Sequence, residues 1–477
     1  MDDPRRESYE DLPYPSGAFA LTHPWRVGLV GRCFGVATAA PAGARVLELG
    51  AGTGWNASLI AWSLPDAEVV AIDREPRHVA EGIELAARLG VRNCHIRVGD
   101  FVTLDPAALG TFDYVICHGV YGWVPAGVRD RLMALARATL APGGVFYLAT
   151  NVLPGSAARD AVSAMLRHRV RAIPDAGERL RVAREFLLRL AAEAPEITPW
   201  WSAALTGEAD YVRQSPPDHL AHEHLSPVSH ALHVTELVAH ARAHGLAYLA
   251  DAQMSAALGH GLPEPLRDEL ARSAADPIDH QQLLDFATGR VFRRALFVRD
   301  DEPGARATPD AAPLVDAWLL TGARRAQSGG WELGARTLEP SRWALHRAMT
   351  AMAAAWPEAL PFAEVARAAG DEPALLAEDL LELWQFGLMD PLLGAPLVGA
   401  ADASDGGLPR LSPAALIEIG RGHHHVTTLH HAPLSLSTED RAFARLVDGA
   451  RDRAELARLG GPDALARLGR MALLARR

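Results

Sequence analysis

The sequence predicts an α/β fold: an open, mostly parallel sheet with a helical insertion, followed by a mostly helical C-terminal domain. Three observations predict it. Strand and helix signals alternate from residue 44 to 150, glycines interrupt the chain where the first strand gives way to the first helix, and alanine, arginine and leucine crowd the second half. Such alternation needs parallel strands joined by crossover helices, which cover both faces of the sheet.

The elements follow in order. RVLEL, from Arg45 to Leu49, is a short apolar run stopped by glycines, and WNASLIAWSL from Trp55 reads as helix. EVVAID, ending at Asp73, is a second buried strand. In HVAEGIELAARLG, Val79, Ile83, Ala86 and Ala87 share one helical face at i, i+4, i+7 and i+8, with Gly90 as the C-terminal cap. CHIRV from Cys94, FDYVICHG from Phe112 and GVFYLATN from Gly144 give three more strands, with a helix over about 128–140 between the last two.

Residues 1–155 thus form a first unit, and 156–300 a helical insertion and further region that completes the sheet. In the latter, a helix closes at Gly245, and Leu246–Ala250 and Arg294–Arg299 supply the last strands. Residues 301–312 have the Pro, Gly and charge content of a linker. Within 313–477, Leu376, Leu380, Leu383 and Trp384 make one apolar stripe ended by Gly387. The helix–helix–strand order there suggests a winged-helix-like shape, but Glu378, Asp379 and Glu382 would repel phosphates.

A length of 477 residues allows two or three domains, and a net charge of -11 argues against a nucleic-acid partner. The three cysteines lack C-x-x-C spacing, which suits a reducing compartment. No apolar leader or bilayer-length run occurs. A soluble, cytoplasmic protein with no membrane partner is expected.

The turn Gly50-Ala51-Gly52-Thr53-Gly54 lies where an open parallel sheet binds ligands, at the strands' carboxyl ends. Position 55 is Trp, where a dinucleotide fingerprint asks for Gly. The pattern is E-x-G-x-G-x-G, headed by Glu48, and it resembles the Rossmann-like class I S-adenosylmethionine-dependent methyltransferases. That resemblance implies S-adenosylmethionine as cofactor, held around Glu48, Gly50, Gly52, Gly54 and Asn56. Asp73, ending the second strand, is expected on the ribose hydroxyls. The resemblance places Asp100, after the third strand, on the adenine amino group, with Phe101 beside the ring. His118, at the tip of the fourth strand, has either a structural role or contact with cofactor or acceptor.

Two further stretches, YEDLPYPSGAFALTHP (Tyr9 to Pro24) and CHGVYGWVPAGVRDRL (Cys117 to Leu132), narrow the resemblance. With HLAHEHL from His219, DFATGRVFRRALF from Asp285 and VTTLHHAPLSL from Val426, they are similar to bacterial methyltransferases carrying a methyltransferase regulatory domain. That group includes protein-lysine methyltransferases of outer-membrane proteins, so the resemblance implies a protein or peptide acceptor. A small natural product as acceptor, or a non-catalytic cofactor-binding regulator, are the alternatives. Members commonly read Y-N-x-x-P-G-W after the fifth strand, whereas this chain has Thr150 and Ser156 at the aromatic positions.

Tyr121 and Trp123 are candidates to line an acceptor channel, or else plug the core under the next helix, and Gly122 between them marks a close approach. Asn151 either orients an acceptor amine or caps its turn. Tyr14, Thr22 and His23 are candidates for a lid over the site. No catalytic base is assigned, because a neutral amine attacks without one. His423, His424, His425, His430 and His431 read as an exposed polar loop rather than a metal site. His222-Glu223-His224 lacks zinc-ligand spacing on a helix.

Overall fold

The computed structural model describes residues 17–193, 198–215, 217–327, 329–397, 408–423, 425–461 and 463–475. Tyr14 lies outside them. A seven-stranded sheet is formed by β1 (Arg45–Leu49), β2 (Glu68–Asp73), β3 (Cys94–Val98), β4 (Phe112–His118), β5 (Leu140–Asn151), β6 (Leu246–Asp251) and β7 (Phe292–Arg299). Their order across the sheet is β3-β2-β1-β4-β5-β7-β6. β1 to β5 run parallel, and β7 is antiparallel to both of its neighbours. The order reverses between β1 and β4, so the carboxyl ends of those strands open a crevice.

Side chains alternate along each strand, which gives the sheet two apolar faces. Leu47, Val115 and Phe146 face Leu132 of α4 (Ala126–Thr139) and Val238 of α9 (Val234–Ala243). Val46, Ile116 and Tyr147 belong to the other core, shared with α1 (Pro24–Cys33), α2 (Trp55–Ser63) and α3 (Pro76–Leu89). Beyond β5, α5 (Ser156–Val170), α6 (Ala176–Glu193), α7 (Pro199–Gln214) and α8 (Pro217–His224) pack around their own core of Leu166, Leu187, Leu205 and Val212. This is the helical insertion, and the last two strands lie where the sequence places them.

Three details differ from the sequence reading. The buried face of α3 is Val79, Gly82, Leu85, Ala86 and Leu89, while Ile83 is 53% exposed and Ala87 faces solvent. The reason is Gly82: a Cβ there would meet the Thr53 carbonyl oxygen at 1.9 Å, so the helix rotates its one bare position onto the glycine turn. Residues 301–312 do not hang free. The Arg306 and Asp310 N–H groups donate to the Phe34 and Cys33 carbonyls at 2.9 and 2.8 Å, which lays the segment across the end of α1.

The region beyond 313 contains two cores rather than one. Met349 of α10 (Trp343–Ala355), Val365 of α11 (Phe362–Ala369) and Leu380 of α12 (Pro373–Phe386) extend the core under the sheet. Strands at Leu360–Pro361 and Asp390–Leu392 flank Trp318–Leu320 in the winged-helix-like arrangement. The stripe Leu376, Leu380, Leu383 and Trp384 is buried, and Asp379 on the same helix pairs with Arg342. Residues 411–474 close a separate core around Leu411, Ile419, Phe443 and Leu468. Among the described residues no helix is long and apolar enough to cross a membrane.

Because backbone cannot yield at Thr53, Gly82→Ala is expected to lower stability by about 1–3 kcal/mol, the range for overpacking. Denaturant unfolding of the two proteins checks it.

Candidate cofactor and acceptor site

The glycine turn joins β1 to α2. Gly50 and Ala51 both donate N–H bonds to the Ile72 carbonyl, at 2.8 and 3.0 Å, which lashes the turn to β2. Gly50 and Gly52 have left-handed φ of 73° and 57°. A Cβ on Gly50 would strike Val120 at 2.5 Å, whereas one on Gly52 would meet nothing within 4 Å. Gly52 therefore presents bare backbone to open space, and that space is a cavity of about 720 Å³.

Asp73 fixes the turn's outer edge. Its Oδ2 accepts the Gly52 N–H at 2.7 Å and its Oδ1 the Glu75 N–H at 2.9 Å. Each oxygen keeps further acceptor capacity, since a carboxylate offers about four lone-pair positions. Asp100 accepts the Val102 N–H at 2.9 Å and lines the same cavity beside Phe101.

Glu48 lies at the cavity floor and is only 4% exposed. Its Oε1 accepts from Asn56 Nδ2 at 3.0 Å. Its Oε2 has no hydrogen-bond partner of ordinary geometry among the described residues, although the Ala57 N–H lies near enough to ease its charge. Burial pushes the Glu48 pKa up to about 7; the Asn56 bond and Ala57 N–H oppose the rise, and Asp73 adds to it. An orphaned carboxylate in this position suits the cationic part of a ligand.

The opposite wall is aromatic. Phe19 stacks on His118 with ring centroids 3.8 Å apart, and His118 Nδ1 shares a hydrogen bond with the Tyr147 hydroxyl at 3.0 Å. Burial, aided by Arg294, drives the His118 pKa down to about 3, so this ring is neutral near pH 7. The insertion closes the cavity with Arg159, Tyr211 and Glu223. Arg159 lies over the Tyr211 ring at 4.4 Å and pairs with Glu208 at 3.0 Å and Glu223 at 3.6 Å.

The cavity thus gathers Glu48, Gly50, Gly52, Asn56, Asp73, Asp100, Phe101, His118, Trp123 and Asn151 from different strand ends and loops. Its lining does not include Gly54, His23 or Tyr121. Gly54 caps α2 in the left-handed region, its missing Cβ making room for Ile96 at 3.0 Å. Thr22 and His23 are fully buried and cannot form a lid. His23 Nδ1 caps α1 by accepting the Trp25 N–H, and its Nε2 meets Ser63 at 2.8 Å.

Tyr121 packs into the core and bonds His240 Nδ1 at 2.7 Å, while Trp123 turns to the cavity. The close approach marked by Gly122 is to the His230 carbonyl, 3.1 Å from where a Cβ would stand. Thr150 and Ser156 are each 1% exposed and absent from the lining, so the two lost aromatics do not reshape the cavity wall directly.

His430 and His431 are not in an exposed loop. They are 6% and 4% exposed, bonded to the Pro357 carbonyl and to Asn56 Oδ1 respectively, each at 2.8 Å. Sequence reasoning missed Phe19, Arg159, Tyr211, Phe292 and Arg294 as lining residues. The stretches YEDLPYPSGAFALTHP and DFATGRVFRRALF already held the signal for Phe19, Phe292 and Arg294.

Residues 46–144 match the family model of a methyltransferase domain, and residues 216–299 that of a predicted methyltransferase regulatory domain. The chain is 28% identical over 295 residues to the protein RP789 of Rickettsia prowazekii, covering 61% of this chain and 53% of the relative. It is 27% identical over 255 residues to sll1526 of Synechocystis, covering 53% and 50%. The chain thus spans about half the length of these two relatives. In fold it is similar to the structure of PKMT2 from Rickettsia typhi, with TM-score 0.83 and 19% identity over 97% of this chain and all of that one. That protein has also been solved in complex with AdoHcy, with TM-score 0.82 to this chain. The fold is the Rossmann-like methyltransferase fold, with added helical and small-sheet regions at the C-terminus.

A carboxyl whose folded pKa lies above its unfolded value destabilises the fold increasingly as pH rises between the two, here from about 4.5 to about 7. The Tm of Glu48→Gln minus that of wild type, both ligand-free, is therefore expected to rise by a few degrees from pH 5 to pH 8. Thermal melts across that range check the sign.

Proposed function

We propose that this chain, which carries a methyltransferase domain and a predicted methyltransferase regulatory domain, transfers methyl groups from S-adenosylmethionine to lysine side chains of a protein. One observation carries the reading: a single cavity runs from the glycine turn and strand-end acids to the insertion helices, so one pocket has room for cofactor and acceptor side by side. At about 720 Å³ it lies in the upper part of the range for ligand pockets, roughly 300–1,000 Å³. A folded acceptor cannot enter it, but a slender side chain can.

The residues fit the cofactor. Asp73 would take the ribose hydroxyls, Asp100 the adenine amino group and Phe101 the ring. Bare backbone at Gly52 would admit the amino-acid end, and the Oε2 of Glu48 would gain a cationic neighbour. When bound, the cofactor supplies an activated methyl group on a sulfonium. The chain supplies alignment and a dry site: Phe19, His118 and Trp123 form an apolar wall, and a neutral His118 does not repel a cation.

On the acceptor side, Tyr211 and Glu223 suit an ammonium-bearing chain, through a ring face and a carboxylate. Arg159 is offset by Glu208 and Glu223, which leaves Arg294 as the cation that opposes its charge. Neighbouring cations disfavour the protonated amine and lower its pKa. The amine then releases its proton to solvent before methyl transfer, without a dedicated base, and favouring that release is the role this reading gives to Arg294.

Asp73→Ala is expected to weaken S-adenosylmethionine binding by about 1.5–3 kcal/mol, the worth of hydrogen bonds to a charged group. Calorimetry measures it. With methyl-labelled cofactor and a lysate of protein acceptors, label is expected on protein lysines. Label confined to small molecules, or cofactor binding with no turnover on any acceptor, would sink the lysine reading.

A further inference from the structure

Apart from the cavity lining, the methyltransferase domain and the regulatory region bring together a cluster of side chains of the metal-ligating type. His240 stands in the last turn of α9 and His244 caps its C-terminus, which brings the two imidazoles together at one side of the helix end. Their rings lie edge to face with centroids 5.0 Å apart. Asp130, from the first turns of α4, faces them across the domain boundary. Its Oδ1 lies 2.8 Å from His240 Nε2 and 3.9 Å from His244 Nε2, and the three donor atoms all fall within 4.8 Å of one another. Among the described residues this is the one such group of histidine, cysteine or acidic side chains.

We propose that Asp130, His240 and His244 form a site for a divalent transition metal ion of the zinc type, joining the methyltransferase domain to the regulatory region. Two imidazoles and one carboxylate select zinc-like ions over magnesium or calcium, which prefer oxygen ligands alone. Donor atoms about 2 Å from a tetrahedral ion stand roughly 3.3 Å apart. Here one separation must open slightly and another contract, which is within the reach of side-chain torsions. Asp130 is 59% exposed, and the two histidines are each nearly a quarter exposed, so an ion can enter from solvent and keep a water as further ligand.

His240 is oriented from behind. Its Nδ1 bonds the buried Tyr121 hydroxyl at 2.7 Å, the kind of outer partner that fixes the tautomer of a ligating histidine. An ion on Nε2 places the proton on Nδ1, so Tyr121 becomes the acceptor of that bond. Tyr121 begins the short turn Tyr121–Trp123, and Trp123 lines the cavity. Occupancy of the metal site is in this way connected to the cavity wall by one hydrogen bond and one turn.

The inference does not depend on the methyl acceptor, and its test reads metal alone. Full-length protein, freed of metal with chelator, is titrated calorimetrically with zinc chloride, and with cobalt(II) while visible absorbance is followed. Wild type is expected to bind one ion that His244→Ala and Asp130→Asn each weaken at least tenfold, with Tyr121→Phe weakening it by roughly tenfold. Both ligand positions are exposed enough for those variants to fold, and melts in chelator verify that they do. Loss of the cobalt signal in both ligand variants supports the site. Undiminished binding in both, as when the ion sits instead at the His423–His425 run, or no saturable binding in wild type, overturns it.

Discussion

The buried amide of Asn56 is the junction on which the site depends. Its Nδ2 donates to Glu48 Oε1 at 3.0 Å and to Thr22 Oγ1 at 3.1 Å. Its Oδ1 accepts from the Phe19 N–H at 3.0 Å and from His431 Nε2 at 2.8 Å. An amide has two donors and two acceptor positions, and all four are used. The first helix after the glycine turn is thereby tied to the cavity floor, to the N-terminal segment that carries Phe19, and to the C-terminal region. Replacement here is costly: Asp would set a second carboxylate against Glu48, and Ala would leave several buried partners unsatisfied at once.

The C-terminal region is therefore part of the site's construction. Trp55, the residue next to Asn56, donates its indole N–H to Glu418 Oε1 at 2.7 Å. Glu418 is 2% exposed and also receives both the hydroxyl and the N–H of Thr427. Burial raises its pKa, while the bonds from Thr427 and Trp55 hold it down. Further along, Arg26 of α1 pairs with Asp390 and donates to the His430 carbonyl at 3.1 Å. Buried polar networks of this sort are costly when incomplete and specifying when complete. Here they set where α2 begins, and with it the shape of the glycine turn.

Most of the sheet and half of the site were legible because their signals are local. A strand that ends in E-x-G-x-G-x-G, or an acid that ends the next strand, announces itself within a few residues. Glu48, Gly52 and Asp73 are legible in that way, and Asp100 through the family resemblance. What sequence concealed is set by contacts between distant segments. Tyr121 and Trp123 lie two residues apart and read alike, yet one turn sends the first into the core, where it bonds His240, and the second to the cavity. His430 and His431 read as surface because histidine runs usually are, but their partners Pro357 and Asn56 lie 73 and 375 residues away. The stripe on α3 was misjudged for a similar reason. Hydropathy favoured Ile83, while steric approach to Thr53 required Gly82 on the buried side.

A buried carboxylate with one oxygen unsatisfied is a cost that a fold organised for stability alone would remove. Its neighbours offer a measure of how deliberate the arrangement is. Asn56 holds Oε1 rigidly, Asp73 stands close enough to raise the Glu48 pKa further, and the neutral His118 at the cavity's opposite wall contributes no compensating charge. The protein thus gathers Glu48, Asp73, Glu75 and Asp100 along one cavity, with Arg74 and His78 beside Asp73, and with Arg159 paired to Glu208 and Glu223 on the insertion. Strand-end acids thus face the space a cationic ligand would take, and the Asn56 junction holds Glu48 among them in place from three parts of the chain.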